Sequence, residues 1–269
     1  TKNPPSRPDP FKKNVYLIKI EGNTYVMNQK QKMSCCKLGA YSAIVAGMSF
    51  LVIAILAFQM PPSIASYVAS QTYFEEFKSI AGLFQTLKTL MIISNIAMIG
   101  VVCAFLSLCR EENTGLVLWS SILAFLGFGF GIYQNVVDMS VIPNLTQQYL
   151  VKPLFIQDII LVLGISNTKL FIITLGLPGI WFLVVSLLAS SNQYIPKFLI
   201  YLGVLWGLGN ILTAIAHAFV IIPLIYLVAM GATIFAPIWG LCEGFYLLNV
   251  ANSLSSTAPS TISKKRPSL

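Results

Sequence analysis

The chain has 269 residues, of which 56% are hydrophobic and only 10% are charged, and its mean hydropathy is +0.78. Soluble domains carry about 25% charged residues, so this composition excludes an ordinary soluble protein. The net charge of +8 comes from basic residues near the two ends of the chain, a pattern typical of the flanks of a membrane protein. We therefore expect no nucleic-acid partner.

The N-terminal tail, residues 1–37, is polar and contains several prolines, so we expect no signal peptide and expect the first span to act as the insertion signal. Residues 15–20 and 24–27 are rich in β-branched and aromatic residues and flank the sequence Glu21-Gly22-Asn23. This pattern predicts a small cytoplasmic β-hairpin. A lone hairpin is marginal in water, so it should rest on a partner or on the membrane.

Six apolar stretches are long enough to cross the roughly 30 Å of bilayer hydrocarbon as helices of about 20 residues. They are residues 38–58, 89–109, 115–133, 170–189, 198–219 and 224–248. No charged residue lies between Lys197 and Glu243, and Pro223 divides this run into the fifth and sixth spans. The predicted fold is an all-α polytopic membrane protein, with a membrane domain at residues 38–250 and a cytoplasmic tail at residues 251–269.

Basic residues predict the orientation of the spans. With both termini in the cytoplasm, thirteen of the seventeen lysines and arginines flank the inner face, and only Lys78, Lys88, Lys152 and Lys169 lie outside. We therefore expect an N-in, C-in protein of a bacterial-type inner membrane. An odd number of spans would place one basic tail outside, which also favours six.

Two outer connections are long enough to hold structure of their own. Pro61 and Pro62 end the first span, and residues 64–84 mix aromatic with charged side chains, which indicates an interfacial helix. Residues 154–165 are too few to cross, so we expect them to lie along the outer membrane surface or to re-enter among the helices. The C-terminal tail is rich in Ser, Thr and Pro, a composition typical of disorder.

Small and polar residues form one stripe on the third span and another on the fifth, and in lipid such stripes mark faces that contact protein. The stripes are Ser120, Ala124, Gly127, Gly131, Gln134 and Asp138, and Gly203, Gly207, Asn210, Ala214 and His217. We expect these two helices to meet along their stripes. Similar small-residue spacing occurs at Gly39, Ala43 and Gly47, and at Gly240 and Gly244. These motifs permit close helix contacts within one bundle or between subunits.

Ionisable residues inside a membrane domain are candidates for function. By helical rise, Asp138 and His217 both lie near the outer interface and could face each other, as a proton or ligand site or as an interfacial pair open to water. Glu243 lies in the last span and must face the bundle or the cytoplasmic headgroups. It either anchors the helix near Lys197 or Arg110, or forms an ion or substrate site.

The other polar residues indicate structural roles more than binding or catalytic roles. Asn95, in the second span, predicts an interhelical hydrogen bond, with ligand binding as the alternative. Cys35 and Cys36 precede the first span as reduced thiols or as acylation sites, and Asn144 begins a glycosylation sequon. The single histidine and five cysteines lack the spacing of metal or haem ligands. Paired carboxylates are also lacking, so we expect no cofactor and no enzyme.

Three parts of the sequence resemble a family of uncharacterised bacterial six-helix membrane proteins. They are residues 180–188 (IWFLVVSLL), residues 195–203 (IPKFLIYLG) with Gly207, and Pro237 ahead of Trp239 and Glu243. Residues 38–41 (LGAY), followed by Gly47, are similar to the first span of that family. The resemblance covers residues 37–250 and implies the six-helix fold. It implies no activity and no catalytic residue.

Two functions follow from these residues. The first is a non-catalytic accessory or structural subunit of a larger membrane complex, whose partners are lipids and other membrane protein subunits. The alternative is a small transporter or channel that uses Glu243 and the seam of Asn210 and His217.

Overall fold

The computed structural model describes residues 29–65, 69–109, 113–163, 170–190 and 195–256. Within these residues the chain forms eight helices and no strand. The helices are α1 (Gln29–Ala57), α2 (Pro62–Ala65), α3 (Gln71–Cys109), α4 (Thr114–Val151), α5 (Leu154–Leu163), α6 (Leu170–Ala189), α7 (Lys197–Ala218) and α8 (Ile222–Ser256). The predicted β-hairpin and residues 257–269 lie outside the described residues.

Six of these helices are long and apolar enough to cross a membrane, which confirms the predicted number of spans. They are α1, α3, α4, α6, α7 and the Ile234–Ser255 part of α8. α1 ends at Ala57, ahead of Pro61, and Pro62 then occupies the first position of α2, where its missing N–H is not needed. Pro223 lies in the first turn of α8, so it separates the last two spans as predicted.

Several helix boundaries differ from the prediction. Residues 64–84 do not form a separate interfacial helix, because α3 continues unbroken from Gln71 to Cys109 and its first turns pack on α4. The third span likewise continues through Pro143 to Val151. α1 begins ahead of residue 38, at Gln29. α8 extends into the predicted tail as far as Ser256, because Ala251 is buried and keeps its last turns on the bundle.

The six spans form a closed ring in the order α1, α3, α4, α6, α7 and α8, with α8 packed against α1. α3 also touches α6 across the ring. The interior is therefore filled by side chains, mostly from one large buried apolar cluster. We call one side of the ring the terminal face, because α1 begins there at Gln29 and α8 ends there at Ser256.

Glycines allow the first and last spans to approach closely. A Cβ added at Gly240 of α8 would lie 2.8 Å from Cα of Gly47 in α1. A Cβ at Gly244 would lie 3.1 Å from the carbonyl oxygen of Ala40. The small-residue motifs of α1 and α8 thus form a contact within one chain, and not between subunits.

α3 and α4 are too long for the membrane alone. They have 39 and 38 residues, so each is about 58 Å long, roughly twice the thickness of bilayer hydrocarbon. Thr174 Oγ1 of α6 donates to Gln134 Oε1 at 3.5 Å, which places the start of α6 near the level of Asp138. Residues 71–87 of α3 and 139–151 of α4 therefore continue beyond the ring, and we call them the projecting pair.

Aromatic packing holds the projecting pair together. The rings of Phe74 and Tyr149 stack with centroids 4.3 Å apart, and Phe77 and Phe84 are buried beside them. Gln85 Nε2 donates to the Met139 carbonyl oxygen at 2.8 Å. α2 and α5 pack on this pair through a second buried apolar cluster. α5 therefore covers α4 outside the ring, so of the two positions expected for residues 154–165 the structure does not show re-entry among the spans.

The turn between α7 and α8 contains a strained residue. Val220 has a φ of 55°, and it follows the last residue of α7 and its cap, Phe219. The Ile221 N–H donates to the Ala216 carbonyl oxygen at 2.8 Å, the hydrogen bond of a Schellman motif. Glycine usually occupies this left-handed position, because a β-branched side chain is crowded there.

Candidate functional site

Glu243 lies inside the ring and is 2% exposed. Its Oε1 has no hydrogen-bond partner among the described residues. Lys197, one of the predicted anchors, is exposed and forms no ion pair with Glu243, whereas Arg110 lies outside the described residues. The carboxyl group of Glu243 is thus a buried polar group without the lysine neighbour that the sequence suggested.

A cavity of about 20 Å³ adjoins Glu243. Its lining comes from α3, α6, α7 and α8, and it reaches Ile195 at the terminal face, next to the start of α7. The polar side chains of this lining are Glu243, Ser186 and the indoles of Trp181 and Trp239. Trp181 is fully buried, and its Nε1 also has no hydrogen-bond partner among the described residues.

Four aromatic side chains line this cavity, and a fifth packs behind them. The four are Phe105, Trp181, Phe182 and Trp239, and the fifth is Trp206. Phe182 and Trp206 stack with centroids 4.3 Å apart, and Trp206 lies 5.0 Å from Trp239 in an edge-to-face arrangement. Such ring pairs restrict each other's orientation, so the indole N–H groups have fixed positions.

Gly203 makes room for the polar side of the cavity. A Cβ added there would collide with the Ser186 hydroxyl and lie 3.4 Å from Trp239 Nε1. A Cβ at Gly207, one turn further along α7, would lie 2.9 Å from the Gly179 carbonyl oxygen. The predicted stripe on the fifth span is thus a packed helix face, as expected.

The partner of that stripe differs from the prediction, because α6 lies between α4 and α7. Gly127 of α4 faces Pro178 of α6, and a Cβ at Gly127 would collide with the proline ring. Gly179 of α6 packs against Asn210 of α7. The stripe of the fifth span thus contacts α6, and the stripe of the third span contacts α6 and α3, so the two stripes do not meet each other.

Asp138 and His217 do not form the predicted pair. Lys88 Nζ lies 2.6 Å from Asp138 Oδ2, and both side chains are buried between α3 and α4. His217 instead stacks on Phe171 of α6, with ring centroids 4.3 Å apart. Asp138 is on α4 and His217 is on α7, and α6 separates these helices, so equal depth in the membrane does not bring the two residues together.

Asn95 lies at the contact of α3 and α4. Its Nδ2 donates to the Met91 carbonyl oxygen of its own helix at 2.8 Å. A Cβ added at Gly131 would lie 3.0 Å from its Oδ1, so Gly131 makes room for this side chain. The predicted interhelical contact exists, but the hydrogen bond of its amide group is intrahelical.

The sequence analysis missed Trp181, the second unpartnered polar group of the cavity. Trp181 and Trp206 lie in the middle of α6 and α7, whereas membrane tryptophans concentrate at the interfaces. An indole N–H in the middle of a span needs a hydrogen-bond partner inside the protein. This requirement could have identified Trp181 as a candidate from the sequence. Among the described residues, no group of three or more His, Cys, Asp or Glu side chains could hold a metal ion.

A family model described as a domain of unknown function, DUF4386, matches residues 45–250. The chain belongs to this family. The DUF4386 region includes the cavity residues of α3, α6, α7 and α8 and the projecting pair, and it begins within α1. No curated protein and no solved structure matches the chain.

Proposed function

We propose that this DUF4386 protein is a non-catalytic accessory subunit of a larger membrane complex, and that it contacts its partner at the outer end of the projecting pair, where α4 ends and α5 begins. The observation that supports this proposal is an exposed apolar surface at that junction. Val151 is 76% exposed, Leu154 is 76% exposed and Phe155 is 72% exposed. Val151 lies about 20 Å beyond the level of Asp138 along α4, away from the apolar belt of the ring.

Exposed apolar clusters outside lipid commonly mark protein contacts. Polar residues surround this cluster on α4, including Gln147 and Gln148, as expected for the rim of an interface. The proposal places both termini in the cytoplasm of a bacterial-type inner membrane, because most basic residues flank that side. The apolar surface then faces outward, where a second membrane subunit or its outer domain would bind it.

The test compares native complexes of the full chain extracted from its own membrane in mild detergent. We expect the double substitution Leu154→Ser and Phe155→Ser to release the protein from the complex on a native gel. Gln148→Ser, at an exposed polar position of the same surface, should leave the complex intact. Equal migration of all three proteins would contradict the proposed contact, and migration of the wild type as a lone chain would contradict the accessory role.

The second candidate is a small transporter or channel, and the unpartnered carboxyl group of Glu243 favours it. Neither Asn210 nor His217 lines the Glu243 cavity, so this candidate rests on Glu243 without the proposed seam. Reconstituted vesicles separate the two functions. Ion or solute flux that Glu243→Gln abolishes, in a variant that stays folded, would favour transport, whereas flux equal to that of empty vesicles would favour the accessory role.

A further inference from the structure

Glu243 and Trp181, two side chains that are at least nine-tenths buried, line one small cavity inside the ring. Oε1 of Glu243 and Nε1 of Trp181 have no hydrogen-bond partner among the described residues. They come from different helices, α8 and α6, so local helix geometry does not explain why both line the same space. Buried polar groups in proteins almost always have hydrogen-bond partners.

The size of the cavity limits what can fill it. Its volume is about 20 Å³, and a cavity of roughly 10–15 Å³ on this measure accommodates one water molecule. An organic solute or a lipid headgroup is too large. The remaining ligands are water, an ammonium ion or a small metal cation.

Hydrogen-bond chemistry selects among these three. The indole N–H of Trp181 only donates, so its partner must accept a hydrogen bond. Ammonium has no acceptor, and a metal cation would face the positive end of the N–H bond. Water accepts from Trp181 and donates to Glu243 Oε1, and it can also accept from a protonated carboxyl group. Water therefore fits both ionisation states of Glu243.

We infer that this cavity is a hydration site, in which one buried water molecule joins Trp181 Nε1 to Glu243 Oε1. The cavity reaches Ile195 and Leu199, so the water enters and leaves from the terminal face, beside the start of α7. Ser186 lies on the same wall, and Gly203 keeps that wall open. The inference concerns the inside of the ring and is independent of the contact proposed for the projecting pair.

The test is a high-resolution structure of the full chain in detergent or lipid, with a second crystal soaked in thallium as a probe for monovalent cations. We expect one density peak within about 2.7–3.2 Å of both Trp181 Nε1 and Glu243 Oε1, and no anomalous thallium signal there. A thallium peak would replace the water inference with a cation site. An empty cavity, or a direct Trp181–Glu243 hydrogen bond, would overturn it.

Matched variants test the same inference without relying on a single structure. Trp181→Phe removes the donor and should lose the peak, whereas Trp206→Phe alters the same aromatic cluster away from the cavity lining and should keep it. If Trp181→Phe does not fold, the indole N–H Raman band of Trp181 provides the measurement. It should be hydrogen-bonded in the wild type and in Glu243→Gln, and it should shift to the unbonded position in Glu243→Leu. An unbonded band in the wild type would contradict the inference.

Discussion

The ammonium group of Lys88 lies 2.6 Å from Oδ2 of Asp138, and this buried ion pair joins α3 to α4 at the level where α6 begins. Lys88 also lies over the ring of Phe84, 5.3 Å from its centroid. The pair thus lies at the boundary between the membrane ring and the projecting pair. Removing both charges from water costs free energy, so the ion pair stabilises the protein only while the two charges remain in contact.

Removing one member of this ion pair should destabilise the protein more than removing both. We expect Asp138→Leu to lower the stability by about 3–5 kcal/mol, because Lys88 keeps a buried charge without its ionic partner. The double substitution Lys88→Met and Asp138→Leu should recover much of this loss. Thermal unfolding of the purified variants in detergent measures both effects. A double variant as unstable as the sum of its two single variants would contradict this account.

Gly127 should tolerate no large side chain, whereas Gly129 should. Both glycines are on α4, but a Cβ at Gly127 collides with Pro178 and a Cβ at Gly129 meets nothing within 4 Å. We expect Gly127→Leu to cost about 1–3 kcal/mol or more through overpacking, and Gly129→Leu to fold normally. The yield of monodisperse protein from size-exclusion chromatography compares them. Equal yields would mean that the α4–α6 contact does not need a glycine.

Val220→Gly should stabilise the turn between α7 and α8. Glycine accepts the φ of 55° without crowding, and the gain should be about 1 kcal/mol after its greater freedom in the unfolded state is included. Ile221→Gly, at the next exposed position, has no such strain to relieve and should be neutral or destabilising. Melting temperatures of the two variants provide the comparison. A lower melting temperature for Val220→Gly than for the wild type would contradict the strained turn.

The stacked rings of the projecting pair should contribute more to the stability of the fold than the exposed apolar side chains at the start of α5. Phe74 is fully buried against Tyr149, so Phe74→Ala should cost about 3–5 kcal/mol locally. Phe155→Ala, on the exposed surface, should change stability little. Limited proteolysis followed by mass spectrometry should show new cleavage in residues 71–87 and 139–151 only for Phe74→Ala. Protection of both variants would show that the pair is held by other contacts.

Cysteine labelling tests the proposed orientation. In a cysteine-free background, a membrane-impermeant reagent added to intact cells should label Asn144→Cys but not Ser190→Cys, which lies at the terminal face. Disruption of the cells should make both positions reactive. Labelling of Ser190→Cys in intact cells would place the terminal face outside.

Hydropathy predicted the six spans because a helix that crosses lipid must be apolar along about 20 residues. It did not predict that these segments continue the second and third spans, because residues 71–87 and 139–151 carry polar side chains beyond the apolar windows, and residues 64–84 were expected to form a separate interfacial helix. Their helical structure comes from aromatic contacts between α3 and α4, which join residues far apart in the chain. For the same reason, Lys88 was assigned to an outer loop and not to a buried ion pair.

The site could be predicted only in part. Glu243 was recognisable because a carboxyl group inside a span must face protein. The false pairing of Asp138 with His217 arose because helical rise gives depth but not the order of helices around the ring. The order of the helices around the ring also explains why Trp181 and Glu243 line the same cavity. α6 and α8 both contribute side chains to the interior of the ring, although α7 lies between them.

Closure of the ring through Gly47 and Gly240 has a consequence for synthesis of the chain. The ribosome makes α1 before α8, so the contact between them forms only after the four spans between them have been synthesised. Until then the face of α1 that carries Ala43 and Gly47 must be covered by lipid or by the insertion machinery. Nascent chains that end before Gly240 remain open bundles, and membrane proteases can distinguish them from the finished protein.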